Sequence, residues 1–323
     1  MVKRMMGCTI EWQDISAKEE WLGRYKLLRR ANLLQSLPYA AAMCVQKGHR
    51  LRPGVVKIDG KEAGIVLVLE AGALGNLLHA VMLDRGPLWF EGYGSAAHKK
   101  LFLEEFNRLF PRRLGRRRRI IPEMPDDEDI QAIMKSSGFG RVDVPGYETV
   151  WLDLEAEDFL ARMDKDWRRR YKKAKENGPE IVWDNEGLHL DWFLKVYALD
   201  KAKRGYSGSE PGFIRMLVKN FMADREVGYK AMIGRAILDG GCVAVALILR
   251  HGASATYQAG WCGADGRKAN ANHLLLGEAL FVLKNEGVRH FDLGGVNDET
   301  AAGVKKFKMD MGGEMVKLAG LYC

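Results

Sequence analysis

The stretch between residues 257 and 308 holds the side chains best suited to chemistry. Its pattern predicts a helix from Ala271 to Glu286, a strand from Val288 to Leu293 and a turn at Gly294-Gly295. A turn built of glycines has no side-chain bulk, so a substrate can lie against the main chain. Lys308 follows and would place one mobile cation beside this opening. Such a cation is suited to hold the negative oxygen that forms when an amine attacks an activated carbonyl.

Two further side chains are catalytic candidates, and each has a structural alternative. Tyr257 is expected on a strand that borders the opening, where its phenol could donate to the carbonyl or orient the amine. It could equally pack in the core. Asp292 precedes the glycines and could accept a proton from the amine or cap the following turn. Lys308 itself could be an exposed lysine beside Lys305 and Lys306.

A glycine-rich loop at residues 204–209 supplies candidates for substrate binding, because loops held by rigid elements often carry such residues. Arg204 could bind a phosphate or carboxylate of the acceptor in a bidentate manner, with Tyr206 beside it. A helix cap or a loop-stabilising role is the alternative for both. Trp261, Gly294 and Gly295 complete the predicted substrate surface.

The same order of elements occurs twice in the chain. Strands are predicted at residues 55–58, 64–69 and 77–83, with a turn at Asp59-Gly60, and a helix follows at 97–110. In the second half, strands at 230–238, 243–249 and 255–261 surround a turn at Asp239-Gly240 and precede the helix from Ala271. The predicted fold class is therefore α/β (α+β), with two tandem domains, each a mixed and mostly antiparallel sheet flanked by helices.

The length of 323 residues also favours two domains. Their predicted extents are residues 1–148 and 149–323, with the last residues packing back on the first domain. The segment from Pro111 to Pro125 is expected to be a surface connection within the first half. Further helices are expected from Glu155 to Ala174, Leu190 to Lys203 and Gly212 to Ala223.

Charge and cysteine usage limit the class of protein. The net charge is +8, and basic residues cluster at 112–119 and 168–175. Such clusters suit a polyanionic partner such as RNA, a nucleotide diphosphate or a membrane surface, or are simply solvated faces. The five scattered cysteines argue against a disulfide framework and against zinc. The seven histidines lack ligand spacing, so no metal site is expected.

Nothing in the sequence predicts membrane insertion or secretion. No apolar run approaches the roughly 20 residues of a membrane helix. The first eight residues are basic but lack the apolar core of a secretion signal. A cytoplasmic protein is expected, and its oligomeric state is left open.

The order of several motifs resembles the Fem (FemABX-like) family of aminoacyl and peptidyl transferases, which are built from tandem GNAT-type acyltransferase folds. The motifs that carry the resemblance are Gln35-Ser36 with Tyr39, Arg85-Gly86-Pro87-Leu88-Trp89, the basic helix Trp167 to Ala174, Arg204-Gly205-Tyr206, Tyr257, Asp292-Leu293-Gly294-Gly295 and Phe307-Lys308. The resemblance implies acyl transfer to an amine, with Lys308 at the oxyanion. It also implies that Phe307 and Arg168 contact substrate.

Two departures from the family pattern bear on the substrates. Family members that act on a nucleotide-linked cell-wall precursor carry a lysine near its phosphates, and here residues 40–43 are Ala-Ala-Ala-Met. A different amine-bearing acceptor is therefore expected. The long helical arm of some members is also missing from the sequence.

The sequence favours aminoacyl-tRNA as the donor without excluding others. Residues 262–272 fit poorly to the glycine-rich loop that holds the pyrophosphate in acetyl-CoA enzymes, and the basic clusters suit RNA. An N-acyltransferase that uses acyl-CoA or an acyl carrier protein is the alternative, with Arg267 and Lys268 holding the carrier. A non-catalytic protein that binds RNA or another polymer is the alternative from a different class. No bound cofactor is expected, since the acyl donor is a co-substrate.

Overall fold

The chain forms two mixed sheets, each flanked by helices. The structure is a computed structural model and describes residues 7–14, 18–225, 228–296 and 302–323. It divides into unit 1, comprising Met1–Tyr147 and Lys317–Cys323, and unit 2, comprising Glu148–Val316. The mixed sheets and their helices confirm the predicted fold class.

Unit 1 contains a sheet in the order β1-β2-β3-β4-β6, with β5 paired to β3. Among its strand pairs with a described register, β4 and β6 run parallel and the others antiparallel. Its elements are β1 (Cys8–Trp12), α1 (Lys18–Lys26), α2 (Leu37–Lys47), β2 (Arg50–Ile58), β3 (Lys61–Ala73), β4 (Leu78–Gly86), β5 (Leu88–Trp89), α3 (Ala96–Leu109), β6 (Arg116–Pro122) and α4 (Glu128–Ser136).

Turn chemistry and one apolar helix face explain this arrangement. Asp59 and Gly60 both take positive φ angles, 52° and 79°, which suits the tight turn between β2 and β3. The predicted stripe of α3 packs inward, and Phe102, Leu103 and Phe106 are buried in the core of unit 1.

The expectation of a surface connection from Pro111 to Pro125 is wrong, because the middle of this segment, Arg116–Pro122, is strand β6. Residues along β6 alternate between exposed and less exposed positions, as a strand in a sheet requires. The buried guanidinium of Arg118 donates to the carbonyl oxygens of Phe110 and Gly138, at 3.2 and 3.3 Å, and stacks over Phe139. Main-chain acceptors and an aromatic face thus let a strand rich in arginine enter the sheet.

Unit 2 contains a seven-stranded sheet in the order β13-β7-β12-β11-β10-β9-β8. The pair β11–β12 is parallel, whereas the other strand pairs with a described register are antiparallel. Its elements are β7 (Glu148–Asp153), α5 (Lys165–Asn177), β8 (Glu180–Asp184), α6 (Leu190–Arg204), α7 (Pro211–Ala223), β9 (Tyr229–Leu238), β10 (Gly241–His251), β11 (Ser254–Cys262), α8 (Ala264–Lys268), α9 (Ala271–Asn285), β12 (His290–Gly295), α10 (Ala302–Met309) and β13 (Glu314–Lys317).

Of the four helices predicted in unit 2, α6, α7 and α9 begin and end within one residue of the prediction, and α5 does not. It was expected from Glu155 but begins at Lys165. The Asp164 carboxylate accepts hydrogen bonds from the amides of Asp166 and Trp167, at 2.8 and 3.3 Å. This N-cap starts the helix ten residues later than expected. In the part of the chain that the structure describes, no helix has the length and apolar character needed to span a membrane.

Candidate functional site

The sheet of unit 2 opens where β11 and β12 part. These parallel strands pair at only three positions, the last being Thr256 opposite Asp292. Beyond it β11 remains with β10, while β12 remains with β7 as far as Gly295 opposite Thr149. A bulge lies at this point, because Tyr257 faces one residue of β10 and Ala259 faces the next. The extra residue bends β11 and leaves a wedge between it and β12.

The corresponding strands of unit 1 do not open in this way. There β4 and β6 are the parallel neighbours joined by a helix, and they pair at seven positions from His79 opposite Arg116 to Gly86 opposite Pro122. Backbone groups in that stretch are used by the sheet. Among the described strands, the parallel pair of unit 2 parts after three positions and that of unit 1 does not, so the candidate site is placed in unit 2.

Asp292 shapes the end of β12. Its side chain is buried, and Oδ1 accepts hydrogen bonds from the amide of Gly294 at 2.8 Å and from the hydroxyl of Thr149. Of the two roles open for Asp292, the turn-stabilising one is therefore observed directly. Thr149 had no distinguishing signal in the sequence, since its role depends on pairing between strands that are far apart in the chain.

Gly294 fits where a side chain would not. Its φ angle is +74°, a left-handed conformation that favours glycine. A Cβ atom at this position would lie 3.0 Å from the carbonyl oxygen of Tyr257 and 3.8 Å from Nζ of Lys308. The glycine predicted to remove bulk thus lies between the tyrosine backbone and the lysine.

Lys308 reaches this point from α10. Its Nζ donates a 2.9 Å hydrogen bond to the carbonyl oxygen of Gly295 and lies 5.7 Å from the centre of the Tyr257 ring. The residue is only 7% exposed. Burial lowers the pKa of this ammonium to about 8, although the negative charge of Asp292 acts in the opposite direction.

The alternative of an exposed Lys308 is therefore wrong. Its neighbours are the accessible lysines, and both are paired. Lys305 binds Glu148 at 2.9 Å, and Lys306 binds Asp310 at 2.8 Å. Burial distinguishes Lys308 from both, and a lowered pKa is common for lysines at functional sites.

Phe307 anchors α10 through aromatic contacts. Its ring meets His273 edge-on at 5.0 Å and lies 6.0 Å from Trp167, measured between ring centres. Burial, aided by the positive charge of Arg170, lowers the pKa of His273 to about 4. His273 is therefore a neutral imidazole at neutral pH. Its role had no signal in the sequence, because only the fold brings α5, α9 and α10 together.

Tyr257 lies at the wedge with its phenol protected from ionisation. Burial is the main cause that raises the pKa of its hydroxyl, with smaller contributions from Cys262 and Tyr206. The hydroxyl extends over Gly260, where a Cβ atom would overlap it. The phenol remains a neutral donor across the ordinary pH range.

The loop at 204–209 approaches the same strand. Ser209 accepts from the side-chain amide of Gln258 at 3.2 Å and, through its carbonyl, from the hydroxyl of Tyr197 at 3.1 Å. The ring of Tyr206 stands edge-on to Tyr197, and burial raises the pKa of Tyr206 to about 12. The exposed Arg204 pairs with Asp200 at 2.9 Å. The structure thus brings this loop to β11, with Tyr206 close enough to raise the pKa of Tyr257 and the positive charge of Arg204 acting to lower the pKa of Cys262.

The remaining predicted residues are less closely connected to the wedge. Trp261 stands at 90° to Trp192, with 5.8 Å between ring centres, near the end of β11. Arg168 is half-buried on α5, and its guanidinium forms no hydrogen bond or ion pair with the described residues. No described contact joins Arg168 to Lys308, so its predicted substrate role has no geometric support.

The segment between β11 and α9 uses its own amides internally. The amide of Gly263 donates to Val243 at 2.9 Å, and the amides of Arg267, Ala269 and Asn270 donate to carbonyls of the same segment. Gly266 packs so closely on Val243 that a Cβ atom would overlap its carbonyl. These four amides are not available to cradle a pyrophosphate.

The first-half motifs have structural roles within unit 1. The side chain of Gln35 joins two strands, accepting from the amide of Leu67 and donating to the carbonyl of Asp84, both at 2.7 Å. Arg85 forms a bidentate ion pair with Glu123 at 2.7 and 2.9 Å. Within the described ranges, no group of three or more His, Cys, Asp or Glu side chains is placed to hold a metal ion.

Comparison with known proteins identifies similar folds. Residues 161–309 match the family model described as an acetyltransferase (GNAT) domain. The crystal structure of FemX aligns over 97% of this chain and 96% of its own, with a TM-score of 0.75 and 15% identity. A tandem GNAT protein from the clavulanic acid biosynthesis pathway aligns over 98% and 97%, with a TM-score of 0.51 and 17% identity.

A third solved structure with a similar fold is the C-terminal domain of a putative lysylphosphatidylglycerol synthetase from Agrobacterium fabrum. It covers 94% of this chain and 90% of its own, at a TM-score of 0.55 and 11% identity. No curated protein sequence matches this chain significantly. The matches confirm a FemABX-like tandem GNAT fold, and the domain match confirms the prediction of an acyltransferase.

Proposed function

We propose that this protein transfers an aminoacyl group from aminoacyl-tRNA to an amine-bearing acceptor and forms an amide. The observation that carries the proposal is the buried ammonium of Lys308 at the β11–β12 wedge, within 2.9 Å of the Gly295 carbonyl. An ester-linked donor brings its own activation, so the protein must supply position and a partner for the oxyanion.

In the proposed transfer, Lys308 is the partner of the oxyanion. The neutral amine of the acceptor attacks the ester carbon, a C–N bond forms, and the electron pair of the carbonyl moves to its oxygen. Lys308 donates a hydrogen bond to this oxygen. When the carbonyl re-forms, the C–O bond to the ribose breaks, and the proton lost by the amine balances the one taken up by the ribose oxygen.

Other residues of the wedge position this step. Asp292 fixes the glycine turn through its bond to the Gly294 amide, so it serves as a positioning residue in the proposal and not as the base. The protonated phenol of Tyr257 lies within reach of the same opening. Phe307 holds α10, and therefore Lys308, against the aromatic rings of α5 and α9.

Acyl-CoA is the second candidate for the donor. The match to an acetyltransferase domain favours acyl-CoA. The internal use of the amides of Gly263, Arg267, Ala269 and Asn270 favours a carrier without a pyrophosphate to bind there. The alanines at 40–42 support an acceptor other than a nucleotide-linked precursor.

To test the donor, the purified protein is incubated with a fractionated pool of small amines and, in separate reactions, labelled aminoacyl-tRNA or labelled acyl-CoA. Label is expected in a base-stable amide only from aminoacyl-tRNA. Transfer from acyl-CoA alone would overturn the donor assignment.

The role of Lys308 is tested with a matched pair of variants. Lys308→Ala is expected to lower the rate by about a hundredfold or more, as loss of one oxyanion donor does elsewhere. Lys306→Ala removes an exposed lysine from the same helix and is expected to retain full activity. Equal rates in the two variants would remove Lys308 from the mechanism.

A further inference from the structure

One end of the unit 1 sheet exposes four leucines. The β3–β4 hairpin ends there, and the loop that precedes β6 meets it, because β4 and β6 are parallel and begin side by side at His79 and Arg116. Leu114 is 99% exposed, and the three hairpin leucines are between 54% and 73% exposed. This leucine tip consists of Leu74, Leu77, Leu78 and Leu114.

Backbone contacts hold the leucine tip in shape. Arg113 donates to the carbonyl of Leu77 at 3.1 Å and to that of Asn76, while the amide of His79 donates to the carbonyl of Gly115 at 2.8 Å. Gly115 has a φ angle of +77°, and a Cβ atom there would overlap the Leu77 carbonyl. The two loops are thus joined, and the leucines project from a defined frame.

The backbone of Leu74 adopts a left-handed conformation. Its φ angle is +51°, followed by Gly75 at +63° and Asn76 at +68°. Glycine and asparagine are common in this conformation, whereas leucine is disfavoured there. A leucine that is both strained and exposed contributes no burial to the core, which points to a contact outside the chain.

An arginine groove lies beside the leucine tip. Its lining arginines form no ion pair with an Asp or Glu side chain in the described ranges. Four of them use main-chain oxygens instead: Arg113 binds Leu77 as described above, Arg112 binds Cys323 at 2.8 Å, Arg116 binds Pro111 at 3.0 Å and Arg118 binds Phe110 at 3.2 Å. The groove is lined by Arg112, Arg113, Arg116, Arg117, Arg118 and Cys323.

We propose that the leucine tip and the arginine groove together dock unit 1 on an anionic lipid bilayer. Leucines that project from a basic surface can enter the boundary between headgroups and acyl chains, while arginines bind the anionic headgroups. RNA would use the arginines but not the leucines, since single-stranded RNA is bound through aromatic stacking. The leucine tip consists of leucine side chains and so offers no aromatic ring on which a base could stack. The proposal is independent of acyl transfer, because Lys308 belongs to unit 2.

The test measures partition of the full-length protein onto vesicles. One set contains phosphatidylcholine alone, and the other contains about one-third phosphatidylglycerol to supply negative charge. Binding is expected only to the anionic set and is expected to weaken with salt. Failure to bind anionic vesicles at low salt would overturn the proposal.

Two double variants separate the contributions. Leu77→Ser with Leu114→Ser is expected to lower partition at least about fivefold. Arg112→Glu with Arg117→Glu is expected to abolish the dependence on phosphatidylglycerol. All four side chains are on the surface, and circular dichroism checks that each variant is folded.

Matched controls lie in unit 2. Leu188→Ser with Leu199→Ser alters two leucines that are also highly exposed, and Arg169→Glu with Lys172→Glu alters the other basic cluster. Both controls are expected to bind vesicles as the parent protein does. If the tip leucines prove irrelevant while tRNA binding depends on the groove arginines, the surface is an RNA site and the proposal fails. If the only effect of the leucine variants is to dissociate a dimer, the proposal fails as well.

Discussion

The Nζ atom of Lys308 donates to the carbonyl oxygen of Gly295, although 13 residues separate them in the chain. This bond places a cation beside the backbone at the end of β12, where β11 has already turned away. A carbonyl is a neutral acceptor and does not neutralise the ammonium as a carboxylate would. The charge therefore remains available to a developing oxyanion. Because burial lowers the pKa of Lys308 to about 8, the loss of this charge can be measured as pH rises through that value.

The pH dependence of transfer should report on Lys308. With a pKa of about 8, the ammonium is mostly charged at neutral pH and is lost as pH rises further. Initial rates are expected to decline above about pH 8, by up to tenfold per pH unit. Lys308→Arg keeps its charge over this range, so any activity it retains should lack the decline.

The control for this measurement is the spontaneous hydrolysis of the donor ester, which is subtracted at each pH. An unchanged alkaline limb in Lys308→Arg would show that another group titrates there.

Lys308 should also make stability depend on pH. The native pKa of about 8 lies below the ordinary value of 10.5, so the unfolded chain binds more protons between these values. The free energy of unfolding must then rise with pH across that window. We expect the parent protein to gain about 2 kcal/mol relative to Lys308→Met between pH 7 and about pH 9.5.

Urea unfolding at the two pH values measures this difference. Lys306→Met serves as the control, because Lys306 is exposed and its removal should leave the pH dependence almost unchanged. A constant gap between the parent protein and Lys308→Met would show that the ammonium is not held in a desolvated place.

Gly294→Ala should damage the wedge specifically. The left-handed φ angle alone costs roughly 1–2 kcal/mol for a residue with a Cβ atom. The Cβ atom would also lie 3.0 Å from the Tyr257 carbonyl and 3.8 Å from Lys308 Nζ. Both stability, measured by thermal unfolding, and transfer activity are expected to fall.

Gly287→Ala is the matched control for this prediction. Gly287 has a similar φ angle of +79° but open space where a Cβ atom would lie. It should lose comparable stability and retain activity. Equal loss of activity in the two variants would assign the effect to backbone strain and not to the wedge.

The sequence predicted the order of elements and the principal cation, because these depend on local patterns. The Asp-Gly turns, the apolar stripe of α3 and the glycines before Lys308 are all readable within short stretches. The alternation along β6 was hidden by six arginines between residues 112 and 119, which resemble a solvated loop. The burial of Arg118 among them depends on acceptors that other parts of unit 1 provide.

The site was predicted less completely for the same reason. Thr149 reaches Asp292 across 143 residues, and His273 gains its environment from α5 and α10. No local pattern records such contacts. The separation of β11 from β12 is likewise a property of strand register, whereas the sequence showed only the glycines and not the wedge that they border.

His273 should make the protein lose stability in mild acid. Its native pKa of about 4 lies below the ordinary value of 6.5, so the unfolded chain takes up a proton first as pH falls. Stability contributed by the neutral imidazole is present above pH 6.5 and is lost as pH falls toward 4. Because the ring is partly exposed, we expect a loss of only about 1–2 kcal/mol.

His273→Phe removes the titrating group while keeping a ring against Phe307 and Trp167. The free energy of unfolding of this variant should fall less between pH 7 and pH 4.5 than that of the parent protein, as measured by urea titration. His189→Phe provides a second histidine variant, since the imidazole of His189 is bonded to Asp184 at 3.0 Å. If both histidine variants retain the acid dependence of the parent protein, carboxylates cause it, and the imidazole beside α10 is not held neutral by its surroundings.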